Sequence, residues 1–585
     1  MNTRLRLMDF SAADCRNCYK CVRHCAVKAI KVVDDQATID VERCVACGQC
    51  LIVCPQNARN IVSDLEEVRG WLERGERVAA SVAPSHLASY PDPDRFVGQL
   101  LAAGFETVQE TAAGAERVLG EYQRLLDGRE GGVLVTSCCP TVNLYVEKYH
   151  PQHIGTLFPV VSPMVAHALQ IKEELGREVR VVFIGPCVSK KSEAQYYKEN
   201  GVLDGVLTFE EIHGWLGGLE PVADGARRRT AGAAGRRFPG EMGILSGLAP
   251  PQGTTWMPIR VSGLDQCKEL FETLDLERGE DPDGWGKVLR VVEANACVDG
   301  CVGGPAGNPD CPRTAANKMR LALAVEGTQR MEAADETAGK KTALAGGIPA
   351  IPPGALERNF LPKPFFRRRF SEEDLAGALE QMGKFSPRDE LNCGACGYDT
   401  CRDKARSVAE GMSHPEMCVP NMRSKAERVS NMLFEFTPNM VFILDNSGRI
   451  LDLNPIAART FHTDVLLAKG RHIGEWLEEE DILRRRKVFY RKFGVAVQQT
   501  SVHLHQQGIH ILIMADTTQE EERSVKMGIL QENTLETAQK VIDKQMRVAQ
   551  EIASLLGETT AETKVALTKL QKLVRGGEGG HGNLR

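Results

Sequence analysis

Short apolar runs alternate with longer amphipathic ones through the middle of the chain. Arg77-Val78-Ala79-Ala80-Ser81-Val82 and Arg180-Val181-Val182-Phe183-Ile184 predict buried strands, each ending at a Pro or Gly turn. Phe96 to Ala103 and Val165 to Leu175 carry helical periodicity. This alternation predicts an α/β domain with mostly parallel strands over residues 63–365. Ala223 to Gly240, rich in Gly, Ala and Arg, is expected to form a surface loop, and Gly346 to Gly354, with three prolines, a linker. A compact α+β pattern occupies residues 426–520. Met440 to Asp445 is an apolar strand, Asn446-Ser447-Gly448 a turn, and Arg449 to Asn454 the returning strand of a hairpin. Asn454-Pro455 opens a helix, and Gly508 to Met514 is the last strand. Residues 521–575 read as one continuous helix. Its apolar or small residues Leu535, Ala538, Ile542, Ala549, Ile552, Leu556, Ala566, Leu570 and Leu573 form a heptad seam, with polar gaps at Gln545, Thr559 and Thr563. A homodimer is expected, and the Gly-rich residues 576–585 are expected to be a disordered tail. The class is multidomain α/β and α+β.

Composition narrows the chemistry. At 585 residues the chain has room for three to five domains. The 72 basic and 78 acidic residues nearly balance at net −6, and no basic stripe or aromatic-plus-Arg patch points to nucleic acid. No apolar run reaches the length of a membrane span, and the N-terminal stretch has no signal-peptide core, so a cytoplasmic location is expected. In a reducing compartment, 19 cysteines argue for metal ligation rather than disulfides.

Eight of those cysteines form two runs of C-x2-C-x2-C-x3-C spacing: Cys15, Cys18, Cys21, Cys25, then Cys44, Cys47, Cys50, Cys54. This is the bacterial ferredoxin signature for two [4Fe–4S] clusters. The fourth cysteine of each run serves the other cluster. Cys15, Cys18, Cys21 and Cys54 are therefore expected to hold one, and Cys44, Cys47, Cys50 and Cys25 the other. The alternative is a pair of zinc sites, which rarely use three thiolates at two-residue gaps. Residues 1–62 read as this ferredoxin-like module.

Four fragments carry the chemistry of the central domain. They are Ala83-Pro84-Ser85, Thr136-Ser137-Cys138-Cys139-Pro140, Ile184 to Glu193 around Cys187, and Glu293 to Gly304 around Cys297 and Cys301. The cysteine-bearing ones follow strand-like segments or lie in Gly-rich turns, where an α/β fold builds its sites. Together they resemble the three cysteine signatures of [FeFe]-hydrogenases, in the same order, over residues 75–325. That family binds the H-cluster, a [4Fe–4S] cube bridged by a thiolate to a two-iron subsite carrying CO and cyanide. The resemblance implies that Cys139, Cys187, Cys297 and Cys301 hold the cube, with Cys301 bridging. It implies that Cys138 passes protons, and that Ala83, Pro84, Ser85 and Lys190 meet the cyanides. A cube without the two-iron unit, as in cluster-assembly relatives, is the alternative.

The departures from the family matter. Thr141 and Val142 follow Pro140 where Gly-Trp is usual, Met164 replaces a Gln, Gly185 a Met, and Asn295 another Met. Tyr122 and Leu125 fall where two relay glutamates are expected, and Phe158 where a relay Ser is expected; Glu193 remains. Phe and Leu carry no proton donor or acceptor, so slow or rerouted proton supply is expected.

Cys393, Cys396, Cys401 and Cys418 show C-x2-C-x4-C-x16-C spacing, and Gly394 and Gly397 allow tight folding around a cube. Residues 366–425 resemble the small [4Fe–4S] domain of electron-transfer and corrinoid-linked proteins, with structural zinc as the alternative. Residues 426–520 resemble a PAS sensor domain through the LDxxGxIxxxN hairpin and the closing Asp516-Thr517-Thr518. His503, His505 and His510 do not by themselves support a haem, and the PAS ligand stays unassigned. No His lies between Glu521 and Gly580, so the parts of a histidine kinase are missing.

The whole reads as a sensory [FeFe]-hydrogenase that binds or slowly oxidises H2, releasing protons, and relays redox state to a PAS and coiled-coil output. It implies a ferredoxin-type redox partner, dedicated H-cluster maturation enzymes and an unknown downstream signalling protein. The alternatives are a metabolic ferredoxin-linked hydrogenase and a non-enzymatic Fe–S scaffold or electron carrier.

Overall fold

The structure is a computed structural model that describes residues 8–10, 14–33, 36–277, 288–311, 315–337, 352, 354–366, 368–477, 486–556 and 561–575. It divides into two compact units, Met1–Asn421 and Met422–Arg585. The linker expected at 346–354 lies largely outside the described residues, and the expected tail at 576–585 wholly so. Among the described residues no helix is long and apolar enough to cross a membrane.

In the first unit, two small antiparallel pairs carry the cysteine runs: Met8–Phe10 with Arg59–Ile61, and Ile30–Val33 with Gln36–Ile39. Two parallel sheets follow. One has five strands in the order Arg228–Arg229, Thr107–Glu110, Val78–Val82, Arg180–Gly185, Gly205–Thr208. The other has Trp256–Ser262, Leu289–Asn295, Gly132–Val135. Val78–Val82 is buried at every position, as a central parallel strand covered on both faces must be. The expected helices appear at Pro93–Ala102, where the Asp92 side chain accepts from Arg95 N at 2.9 Å, and at Pro163–Leu175.

The expected surface loop at Ala223–Gly240 is instead structural. Arg228–Arg229 joins the edge of the five-stranded sheet, and Ala233–Arg236 is a short helix. Ala231, Ala233 and Phe238 are buried. Gly235 packs so closely on Ala112 O that a Cβ would collide with it, and Arg236 Nη2 donates to the buried Glu110 at 2.5 Å. Small residues here serve close approach, which composition alone reads as a loop.

In the second unit, five antiparallel strands run in the order Ile450–Leu453, Met440–Asp445, Ile509–Asp516, Val495–Leu504, Arg486–Tyr490. Asn454 caps the helix Pro455–Thr460, its Oδ1 accepting from Ala457 N and Val441 N, both at 3.0 Å. Asp516 Oδ1 accepts from Thr518 N at 2.8 Å and opens the long helix. The expected continuous helix corrects to two, Thr518–Leu556 and Ala561–Arg575, which pack on one another. Gln571 Nε2 donates to Gln539 Oε1 at 3.3 Å across the pair. The seam residues Ala538, Ile542 and Ala549 are half-buried. Part of the apolar seam is thus consumed within the chain, while Leu535, Ile552 and Leu570 stay exposed.

Candidate functional site

Parallel strands aim their C-terminal ends at one place. Val78–Val82 delivers Ala83-Pro84-Ser85, Gly132–Val135 delivers Cys138 and Cys139, Arg180–Gly185 delivers Cys187, and Leu289–Asn295 delivers Cys297 and Cys301. These residues and Lys190 line one cavity of about 100 Å³. Sequence-distant fragments converge because each follows the C-terminal end of a parallel strand. Cys47 of the ferredoxin-like module lines the same cavity, and a Cβ added to Gly48 beside it would come within 2.6 Å of Pro305 Cγ.

Burial sets the thiol chemistry here. It pushes Cys187 up to about 11, aided by the nearby Cys139, and pushes Cys297 and Cys301 up as well. Thiols crowded this way lose their protons only to a strongly bound cation. Cys138 is likewise pushed up by burial, to about 12, so it stays a protonated thiol at neutral pH. The Tyr122 hydroxyl lies 3.3 Å from Cys138 Sγ and 3.0 Å from Ser137 Oγ, and accepts from Ser137 N at 2.8 Å. Tyr122 stacks on Phe158 with ring centroids 4.2 Å apart.

Glu193 sits behind the wall rather than on it. Its carboxylate accepts from Lys190 Nζ at 2.7 Å, Arg358 Nη1 at 2.5 Å and Ser162 Oγ at 2.8 Å. Burial works to raise its pKa, but Lys190 and Arg358 outweigh this and hold it below the usual range. It is a clamped anion. Glu293, which the sequence places in a chemistry-bearing fragment without a role of its own, is fully buried and accepts from Ile244 N and Leu245 N, each at 3.0 Å.

The other cysteine sets also assemble. Cys15, Cys18, Cys21 and Cys54 line one cavity, joining both runs as the ferredoxin spacing requires. Cys25 is an electrostatic neighbour of Cys44, Cys47 and Cys50. Backbone N–H groups of Ala29, Ala46 and Ala58 donate to the sulfurs of Cys25, Cys44 and Cys54, each at 3.3 Å. Cys393, Cys396, Cys401 and Cys418 line a third cavity. Asn392, Gly394 and Gly397 there take left-handed backbone angles (φ 46°, 66° and 85°), the tight turning expected of the glycines. Lys404, absent from the sequence reading, is 1% exposed beside these cysteines with no hydrogen-bond partner for its Nζ. Burial brings it down to about 8, opposed by Cys396 and Cys418.

The donor sets fit clusters better than single ions. The thiols of the main site, the Cys15 set and the Cys393 set each line a cavity. Backbone donors to sulfur and the unpaired Lys404 ammonium both suit an anionic cubane. In the main cavity the Ser85 hydroxyl is buried and unpartnered, so the wall offers a donor beyond the thiols. Of the strand histidines, His505 is exposed and His503 stacks on the half-buried His510, ring centroids 3.9 Å apart.

Comparison with known proteins matches three segments of the chain to iron–sulfur domains. Residues 76–246 match the family model of the iron-only hydrogenase large subunit, C-terminal domain. Residues 14–58 match a 4Fe-4S dicluster domain and 389–420 a putative Fe-S cluster domain. A cytosolic Fe-S cluster assembly factor of Meyerozyma guilliermondii is 26% identical over 208 residues, covering 30% of this chain and 39% of that protein. An NADP-reducing hydrogenase subunit of Solidesulfovibrio fructosivorans is 26% identical over 330 residues, covering 45% and 55%. The chain thus spans about half, or less, of the length of these relatives. A solved [FeFe]-hydrogenase of Chlamydomonas reinhardtii covers 52% of this chain and 100% of its own, at 18% identity and a TM-score of 0.38. The chain is a hydrogenase-like iron–sulfur protein.

Proposed function

We propose that the chain is a sensory [FeFe]-hydrogenase that binds or slowly oxidises H2 and relays redox state to its C-terminal unit. The main cavity carries this reading. A cubane alone needs four thiols, which Cys139, Cys187, Cys297 and Cys301 supply; the same wall adds Cys138, Lys190 and the unpartnered Ser85. In this reading those four cysteines would hold the cube, and Cys301, Ala83, Pro84, Ser85 and Lys190 would face a two-iron subsite beside it.

When bound, the H-cluster supplies the redox chemistry that interconverts H2 with protons and electrons. The chain's own residues do the rest. Cys138 keeps a proton at the cavity wall because burial disfavours its thiolate. Tyr122 fixes the direction of that thiol. Glu193, itself held by Arg358, clamps Lys190, and Met164 and Phe183 exclude water. Nothing at Phe158 or Leu125 replaces a proton relay, which supports slow turnover and a sensing role.

The modules follow as ferredoxin-like 1–62, H-cluster 63–365, small Fe–S 366–425, PAS 426–520 and output helices 521–575. A cytoplasmic homodimer with a ferredoxin-type redox partner, maturation enzymes and a downstream signalling protein completes the proposal. A scaffold reading is favoured by one observation, the likeness to a cluster assembly factor, together with Thr141, Met164 and Asn295 at positions where hydrogenases differ. Protein made with the maturation enzymes separates the two. Slow hydrogen turnover, or infrared bands of metal-bound CO and cyanide that shift under H2, in fully loaded protein supports the sensor; neither, with every cubane in place, supports the scaffold. Rates equal to those of metabolic hydrogenases would overturn both.

A further inference from the structure

The third cysteine set does not stand apart from the first two. Tyr398 lies on the wall of the cavity lined by Cys393, Cys396, Cys401 and Cys418. It also lies on the wall of a cavity of about 410 Å³ shared with Ala26, Val27 and Lys28, the segment that follows Cys25. The buried Tyr398 ring is close to two ammonium groups: Lys28 Nζ is 5.3 Å from its centroid and Lys404 Nζ 5.2 Å. Its hydroxyl meets Ser407 Oγ at 2.6 Å, which fixes the ring. Both Cys25 and Cys396 are among its electrostatic neighbours.

Three further contacts seat this segment on the ferredoxin-like module. Gly397 abuts Arg23 so closely that a Cβ would collide with the Arg23 Cα. Met417, next to Cys418, is buried in one apolar cluster with Val22 and Ile30. Arg43, next to Cys44, pairs with Glu410 at 2.9 Å, both largely buried. Cys47 of the same module lines the main cavity and is an electrostatic neighbour of Cys297.

We propose that Tyr398 is the junction through which the third site exchanges single electrons with the Cys25, Cys44, Cys47 and Cys50 site, making that site a fork. One arm leads by Cys47 to the main cavity, a second to the Cys15 set, and a third through Tyr398 to the Cys393 set. Each transfer oxidises one site by one electron and reduces its neighbour by one; Tyr398 itself is neither oxidised nor reduced. Lys28 and Lys404 favour the electron-rich state at either end of the contact. The reduced output site therefore reports on the hydrogen-facing arm without passing through the Cys15 set. This inference rests on the reading that each cysteine set holds a [4Fe–4S] cluster.

The test is electron paramagnetic resonance of the full, loaded chain poised at successive potentials, with the third signal identified by its absence in Cys396→Ser. The third signal is expected to broaden or split when the Cys25 set becomes reduced. Unloading the Cys15 set with Cys18→Ala and Cys21→Ala is expected to leave that interaction in place, and Gly397→Val to weaken it. A third signal, once identified, that is indifferent to its neighbours in wild-type protein overturns the fork. So does an interaction lost with the Cys15 set, or undiminished in Gly397→Val. Absence of any third cubane signal overturns the underlying reading, and the fork with it.

Discussion

The hydroxyl of Tyr122 stands 3.3 Å from the sulfur of Cys138 and accepts from Ser137 N at 2.8 Å. The sequence places Tyr122 where a relay carboxylate is expected, and an aromatic ring there suggests a simple block. The structure shows a hydroxyl that holds the buried thiol in place. Tyr122→Phe leaves the Ser137 amide unpaired and frees Cys138 to turn. The expected result is a loss of about 1–3 kcal/mol in stability. Deuterium exchange with H2 should slow, by roughly tenfold for each 1.4 kcal/mol of lost orientation. Unchanged exchange with lowered stability would limit Tyr122 to packing.

Glu193 is expected to act as a clamp rather than a proton carrier. Its three partners and its lowered pKa keep it ionised through the physiological range. Glu193→Gln strands Lys190 and Arg358 beside each other in a buried setting, which costs on the order of 3 kcal/mol. Denaturant unfolding should register that loss. A variant of normal stability whose only defect is a shifted pH–rate profile would restore the relay role.

Lys404 is expected to raise the potential of the third site. A buried ammonium without a hydrogen-bond partner favours the more negative, reduced cluster. Lys404→Met should keep the iron content and move the midpoint to more negative values by roughly 60 mV or more, a tenfold change for one electron. An unmoved midpoint in a fully loaded variant would remove Lys404 from the redox account.

His167 makes the first unit acid-sensitive. Burial brings its pKa down from 6.5 to about 3, with Nδ1 at 2.8 Å from Ser81 Oγ. The unfolded chain binds this proton more readily than the folded one, so the stabilisation is present above pH 6.5 and is lost as pH falls toward 3. At pH 5.5 the loss from this one group is about 1.4 kcal/mol. His167→Gln should flatten the fall in stability between pH 7 and 5.5; an unaltered slope would assign the sensitivity elsewhere.

Much of this was legible from spacing and period. The Val78–Val82 and Arg180–Gly185 strands, both ferredoxin sets and the Cys393 set follow from apolar runs and thiol intervals, because strand burial and cubane geometry are local constraints. What depended on close tertiary approach was not legible. Gly235 reads as loop composition until Ala112 is placed against it. The fold-back that sets Gln571 on Gln539 is invisible to heptad counting, which scores a seam without knowing what covers it. Lys404 and Glu293 look like ordinary charged residues until their burial is seen.

The central claim is that the cavity behind Cys138 and Lys190 holds more than a cube. Infrared spectroscopy of protein produced with the maturation enzymes, recorded under argon and then under H2, tests it most directly. The account predicts bands from metal-bound CO and cyanide that shift when H2 is admitted. Protein with every cubane loaded and no such bands would contradict it.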